Sequence, residues 1–420
     1  MKKIAQFILK YLAKAVLYKY RPQIVGITGS VGKTSTKEAV FTVLSQFYRT
    51  RATLKNYNNE LGLPLSILNV SAPGKSIIGW LKVWGRFLSL ILVKAKNYPE
   101  ILVLEMGIDR IGDMDYLLSI ISPLVAIETG VGESHLAFFG SSAKLIQEKQ
   151  KLVLGVAKGG SAVINYDNEG SRSMVEASRA KVLTFGLTSG ADIIAQDLVF
   201  DERGMHFKIS YQGSVIPVFL DNMFGYPPVY AALAALATAA ALSINLVDAV
   251  IALRKFKMPP GRLQLIPGIN QSTIIDDTYN SAPSSALAAL EVIGQIKGAY
   301  QRRIAVLGEM LELGEAAVSG HLVVGQKAAS VGLDYLLLIG PLTAEIENGA
   351  REAGLAPEKI LVFTNLEQLE SKLKELIKPN DLILIKASQG GRLERVVKSI
   401  MLNPQTASKL LVRQEDSWLK

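Results

Sequence analysis

Residues 24–44 read IVGITGSVGKTSTKEAVFTVL. An apolar run from Ile24 to Thr28 meets a glycine-containing turn, and a helix-forming stretch follows. That order predicts a strand, a loop and a helix N-terminus. The loop Gly29-Ser30-Val31-Gly32-Lys33-Thr34 carries the parts a polyphosphate needs. Backbone N–H groups cradle its oxygens, Lys33 neutralises charge and the Thr34 hydroxyl can ligate Mg²⁺. The strict phosphate-loop pattern places glycine five residues before Gly32, where this chain has Ile27, and its glycines fall at Gly26 and Gly29 instead. The nucleotide-contacting run is expected to comprise Gly29, Ser30, Val31, Gly32, Lys33, Thr34 and Ser35.

Further out, QIVGITG, EILVLEMG, SPLVAIETG and SAVINYDN each read as a strand ending in a turn, with helical segments between. This rhythm predicts an α/β fold with a mostly parallel sheet. FDERGMHFKIS and YQGSVIPVFL look antiparallel and are expected to form a small β appendage. Met258-Pro259-Pro260-Gly261 breaks any continuing helix and marks a domain boundary. After it, TIIDDTYN, RIAVLGEM, DYLLLIGP, KILVFTN and DLILIKASQ predict a second, smaller Rossmann-like layer. The expected division is residues 1–22 as an amphipathic helix, 23–258 as a P-loop ATPase domain with an insertion at 71–98, and 259–420 as a C-terminal Rossmann-like domain.

A chain of 420 residues is too long for one ordinary core, and two large units are expected. It has no cysteine, which excludes disulfides, thiolate metal sites and a cysteine nucleophile and suits a reducing compartment, with the cytoplasm the default. The formal charge of +9 favours anionic partners. No basic–aromatic module points to nucleic acid. Val229 to Leu246 is uncharged but alanine-rich with polar interruptions, which fits a buried helix better than a membrane span.

The sequence T-G-S-V-G-K-T-S resembles the variant loop of the Mur ligases, and further matches follow in that family's order from Ile24 onward. They are KNYNNELGLP (55–64), LEMG ending in Gly107, VGESHLAFFGS, NYDN, PPGRLQ, DDTYNSAP, VLGEMLELGE and KAS. Through VLGEMLELGE and DDTYN the likeness is greatest to members that add D-alanyl-D-alanine to a UDP-muramoyl tripeptide. The resemblance implies ATP, two Mg²⁺ ions and a carbamylated lysine. Glu105, ending a strand beside the phosphate loop, could hold Mg²⁺ on positional grounds. To Thr34 and Glu105 the family likeness adds His135 and Lys149 as metal ligands, with Lys149 as the carbamate. Unaided, Lys149 is one of several lysines on a solvated helix beside Lys144 and Lys151, and a lone His135 is more often structural. The resemblance also implies that Asn59, Asp276, Asp277 and Tyr279 contact nucleotide, that Arg262 reaches the γ-phosphate, and that Lys386 and Ser388 bind the incoming amine. Lys33, His135, Lys149 and Arg262 form the expected catalytic set.

The chain departs from the family pattern at Pro227-Pro228, Asn280-Ser281-Ala282-Pro283 and Lys386-Ala387-Ser388-Gln389. About twenty residues precede the ATPase strand, where the family carries a UDP-binding domain. The expected activity is ATP-dependent joining of a muropeptide-like carboxylate to an amino acid or dipeptide through an acyl phosphate. The alternatives are a related ligase on a lipid-linked or polymeric substrate and a membrane-docked nucleotide-binding scaffold. Residues 75–96 place Trp80, Trp84 and Phe87 among Lys75, Lys82, Arg86, Lys94 and Lys96. With the basic helix at 2–20 they suggest peripheral contact with an anionic membrane surface on its inner face; the competing reading is a helical hairpin packed on the ATPase domain.

Overall fold

The computed structural model describes residues 2–54, 57–93, 95–132, 139–201, 203–296, 300–415 and 418. Among these, two sheets carry the fold. The first runs in the order β2-β3-β1-β4-β5-β6-β7-β8-β9. It comprises β1 (Gln23–Thr28), β2 (Thr50–Ala52), β3 (Ile101–Glu105), β4 (Val125–Glu128), β5 (Ser161–Asn165), β6 (Lys181–Gly186), β7 (Ile193–Asp201), β8 (Gly204–Tyr211) and β9 (Ser214–Asp221). Strands β2 to β7 pair in parallel, and β8 and β9 continue antiparallel. The antiparallel hairpin extends the same sheet edge-on because Met205, Phe207, Ile209, Val218 and Leu220 join the core beneath it.

Both faces of this sheet are covered, as near-continuous apolar strands require. On one face lie α1 (Lys2–Tyr20), α3 (Gly62–Leu68), α4 (Ile77–Leu92), α5 (Asp113–Leu118) and α6 (Ser142–Leu154). On the other lie α2 (Lys33–Leu44), α7 (Tyr226–Ala241) and α8 (Leu246–Leu253). The alanine-rich stretch becomes α7, buried along nearly its whole length against α2, β5 and β6. Small side chains let it approach closely, so it is a core helix. Two residues at its N-terminal end, Pro227 and Pro228, lack only N–H groups that a first turn leaves unpaired anyway. Among the described residues no helix is long and apolar enough to cross a membrane.

Met258 belongs to the first core and Leu263 to the next, with the two prolines between them. The second sheet runs β10-β11-β15-β12-β13-β14. Its members are β10 (Gln264–Pro267), β11 (Thr273–Asp277), β12 (Arg302–Gly308), β13 (Tyr335–Ile339), β14 (Ile360–Phe363) and β15 (Asp381–Lys386). Only β10 pairs antiparallel. Helices α9 (Pro283–Gln295), α10 (Ala317–Ser330) and α11 (Ala344–Glu352) cover one face, and α12 (Leu366–Leu376) and α13 (Glu394–Ile400) the other. The carboxyl ends of β1 and β3 thus face those of β11 and β15 across a cleft.

Candidate active site

The phosphate loop leaves β1 where the strand order reverses, with β3 on one side and β4 on the other, the place where open α/β sheets collect ligands. Gly29 has φ 145°, and a Cβ there would stand 2.0 Å from Thr129 Oγ1. No side chain fits between the loop and the end of β4. Ser30 N donates to the Gly130 carbonyl at 2.6 Å, tying the loop to that strand end. Lys33 opens α2 and folds back, its Nζ donating to the Gly29 carbonyl at 2.7 Å. Burial lowers its pKa and the Arg262 charge lowers it further, while Glu105, Glu128 and Asp109 oppose both. A triphosphate arriving here would add negative charge beside this half-buried lysine and favour its charged form.

Thr34 Oγ1 donates to Glu105 Oε2 at 3.1 Å, and Asn58 Nδ2 donates to Glu105 Oε1 at 3.1 Å. A hydroxyl and a carboxylate side by side next to a phosphate loop are hard oxygen donors suited to Mg²⁺, which takes few protein ligands and fills its remaining positions with phosphate and water. Asn59 turns away, its Oδ1 accepting from Leu61 N and Gly62 N at the start of α3. The cleft-facing asparagine is Asn58, which sequence reasoning passed over; the shared Asn-Asn pair contained it without saying which member faced the loop.

Lys149 lies on α6 and is 3% exposed, so the picture of a lysine on a solvated helix is overturned. Leu145, Glu148, Leu152 and Val153 share its inward face, which turns it toward the end of β4. Burial and then the nearby Lys33 charge bring its pKa down to about 7. Glu128, fully buried at the end of β4, is pushed upward by burial against the pull of Lys149. One Glu128 oxygen accepts from Gly130 N at 3.1 Å, and its Oε2 is buried with no hydrogen-bond partner. An orphaned buried carboxylate oxygen beside a neutral-leaning lysine suits a second cation. Glu128 was missed although VAIETG repeats the acidic strand end of VLEMG. His135 lies outside the described residues. The segment leading to it is held by NYDN: Asn165 Nδ2 donates to the Thr129 carbonyl, and Asn168 exchanges hydrogen bonds with Val131.

A cavity of about 900 Å³ joins the two domains. It is lined by Ser30, Val31, Gly32, Lys33, Thr34 and Ser35 from the loop, with Glu105, and by Arg262, Asp277, Tyr279, Lys386 and Ser388 from the C-terminal side. Arg262 stacks over Tyr279 with 4.0 Å to the ring centroid, and its Nε is buried without a partner. Asp277 accepts from Lys386 Nζ at 2.6 Å, and Lys386 also donates to the Asn280 carbonyl. Ser388 Oγ bonds the Ser281 carbonyl at 3.1 Å. Lys386 and Ser388 therefore brace the Asp277–Ser281 loop from within the cleft. Asp276 points the other way: it is fully buried, lines neither large cavity, and bonds Thr278. Burial raises its pKa to about 7.

A second cavity of about 1030 Å³ shares Thr34, Arg262 and Tyr279 with the first and runs along β2 toward the chain end. Trp418 lines both, and Arg392 stacks on it at 5.2 Å. Arg413 donates to the Thr278 and Tyr279 carbonyls and pairs with the buried Glu394. No sequence signal marked these tail residues.

The family model for the Mur ligase middle domain matches residues 27–78 and 86–239, and that for the Mur ligase glutamate ligase domain matches 261–389. The UDP-N-acetylmuramoyl-tripeptide–D-alanyl-D-alanine ligase of Bacillus subtilis is 32% identical over 94% of this chain and 79% of its own. The chain belongs to the Mur ligase family. Among solved structures, this Mur ligase superimposes on the MurF ligase of Thermotoga maritima in complex with ADP with a TM-score of 0.78 at 28% identity, covering 94% of this chain and 83% of that one. MurF from Acinetobacter baumannii gives a TM-score of 0.78 at 25% identity over 93% and 79%. The fold expected from the strand rhythm is thus that of the family, and this Mur ligase is an ATP-dependent, ADP-forming enzyme.

Proposed function

We propose that this Mur ligase joins D-alanyl-D-alanine to the terminal carboxylate of a UDP-muramoyl tripeptide, consuming ATP. The names of its relatives support that substrate pair. The observation that carries the reading is one cavity holding the phosphate loop, Glu105, Arg262 and the Asp277–Lys386 pair. The peptide carboxylate attacks the γ-phosphorus of ATP, and ADP departs. The dipeptide amine then attacks the acyl carbon, gives up a proton, and expels phosphate. Lys33 and the loop N–H groups hold the phosphates, and Arg262 meets charge building on the transferred group. Two Mg²⁺ ions, one on Thr34 and Glu105 and one near Lys149 and His135, would screen the repulsion between carboxylate and triphosphate.

A carbamate on Lys149 would supply the second site with an anionic oxygen ligand. Only a neutral amine takes up CO₂, and a lysine lowered to about 7 keeps a substantial neutral fraction near neutral pH, where an ordinary lysine has almost none. In this reading Asp277 and Tyr279 contact the nucleotide, and Lys386 and Ser388, by holding the Asp277–Ser281 loop, shape the site of the incoming amino component. The enzyme works in the cytoplasm, in peripheral contact with the inner face of the membrane through α4 and α1. Incubation with ATP, Mg²⁺, the UDP-linked tripeptide and D-alanyl-D-alanine should give ADP and pentapeptide in equal amounts. ADP release indifferent to both acceptors would refute the reading.

A further inference from the structure

Helix α1 precedes the family match, and the match breaks at residues 79–85 inside α4. These two helices also expose apolar side chains in rows. On α4, Ile77, Ile78, Leu81, Trp84, Leu88 and Leu92 recur at helical spacing and face outward, Ile77 78% and Leu92 77% exposed. Only Val83 and Leu90 on that helix are buried. On α1, Leu9, Leu12, Ala13 and Val16 pack inward while Ile4, Phe7, Tyr11 and Tyr18 remain exposed. The helices are tied together: Lys19 Nζ donates to the Leu90 and Ile91 carbonyls at 2.9 and 2.7 Å, and Tyr20 Oη to the Leu90 carbonyl at 2.8 Å. Folding therefore consumes one face of each helix and leaves the other uncovered.

The charge carried by these two helices has one sign. Residues 1–37 and 69–99 contain no aspartate or glutamate. Lys3, Lys14, Lys75, Lys82 and Lys96 are exposed beside the apolar rows. At the foot of α4 a cavity of about 440 Å³ is lined by Arg49, Arg51, Arg86, Asn69, Asn97 and Tyr98. Arg49 pairs with Glu100 at 3.2 Å; among the described residues no carboxylate pairs with Arg51 or Arg86. Each of those two gives one hydrogen bond to the end of α3, at the Ile67 and Leu68 carbonyls. Their remaining donors suit a phosphate, which accepts from guanidinium forks.

We propose that α4 and α1 dock the enzyme on an anionic phospholipid bilayer, with the outward side chains of α4 entering the interface and the Arg49–Arg51–Arg86 cavity receiving a headgroup phosphate. The inference rests on the peripheral placement given above and on none of the catalytic assignments. A second copy is the poorer occupant, since it would press two pairs of cationic, acid-free helices together. One amphipathic helix binds lipid weakly, so two adjacent faces plus several cations supply the affinity that a single helix lacks.

Co-sedimentation of the full chain tests this with vesicles of phosphatidylglycerol and phosphatidylcholine against phosphatidylcholine alone. Wild type should bind the anionic vesicles at least roughly tenfold better, given about 1 kcal/mol per cation near the surface, and salt should release it. Leu81→Ser/Leu88→Ser should abolish sedimentation, and Lys82→Gln/Arg86→Gln should remove the preference for phosphatidylglycerol. Both variants should keep the wild-type melting temperature and ligation rate in vesicle-free buffer. Equal, salt-insensitive binding to both vesicles would overturn the headgroup site and leave peripheral placement standing. No sedimentation at low salt would overturn both. A wild-type dimer in solution that Leu81→Ser/Leu88→Ser makes monomeric would assign the face to a second copy instead.

Discussion

At the scale of single residues, Lys33 and Lys149 share one electrostatic problem: a half-buried and a buried amine near each other, with carboxylates at Glu105 and Glu128. Their intended partners differ. Lys33 sits in the loop that faces phosphate, so Lys33→Ala should lower kcat by about 10²–10³ through lost transition-state charge stabilisation, measured as ADP release. Lys149 faces the end of β4, and the proposed carbamate would have to form on its neutral amine. Activity in bicarbonate buffer should therefore fall as pH drops through about 7, and Lys149→Ala should be partly rescued by short-chain carboxylates. Full activity of Lys149→Ala in bicarbonate-depleted buffer would refute the carbamate. The same shift has a stability sign. Between about 7 and the ordinary lysine value of 10.5 the unfolded chain holds a proton that the native state lacks. Stability of the CO₂-free, nucleotide-free protein should accordingly rise across that window, and the slope of melting temperature with pH should shrink in Lys149→Met.

At the scale of elements, strand ends were legible and their side-chain directions were not. Alternation along β11 allows only one of Asp276 and Asp277 to face the cleft, yet the sequence holds two carboxylates and no flanking cue. Packing decides: Asp277 meets Lys386, and Asp276 is shut in with Thr278. Loops carry no period at all, which is why Asn58 and Asn59 could not be told apart. The antiparallel pairing of β8 and β9 was readable from their apolar alternation. Their place at the end of the main sheet depends on contacts far away in sequence. The chain's last turn was invisible for the same reason, although Arg413 grips the carbonyls that follow β11. Arg413→Gln should cost about 1.5–3 kcal/mol, the range for hydrogen bonds from a charged donor, and loosen Tyr279 beneath Arg262. Chemical denaturation and the KM for ATP should both register it; an unchanged KM with lowered stability would make the tail purely structural.

At the scale of the whole molecule, the groups proposed for catalysis are divided between two sheets, and the proposed ligation chemistry needs Arg262 and Lys33 in the one cavity that both line. Besides the Pro259-Pro260 connection, the domains touch where the chain leaves β9. Phe224 is buried in the C-terminal core, and Gly225 opens α7 with φ 80°. A Cβ on Gly225 would lie 2.3 Å from Val292 Cγ2 on α9. Backbone of one domain is thus pressed against a side chain of the other, with no room for a methyl group. Gly225→Ala faces two separable costs, a left-handed backbone that alanine adopts reluctantly and a collision across the interface. Only the collision can be removed from the other side. Gly225→Ala should therefore reduce ligation more than it reduces ADP binding, because nucleotide is held chiefly by the phosphate loop. Adding Val292→Ala should restore part of the ligation rate even though it removes buried volume. If the double variant is no faster than Gly225→Ala alone, the defect is backbone strain at the start of α7, and this contact does not set the distance between Arg262 and the loop.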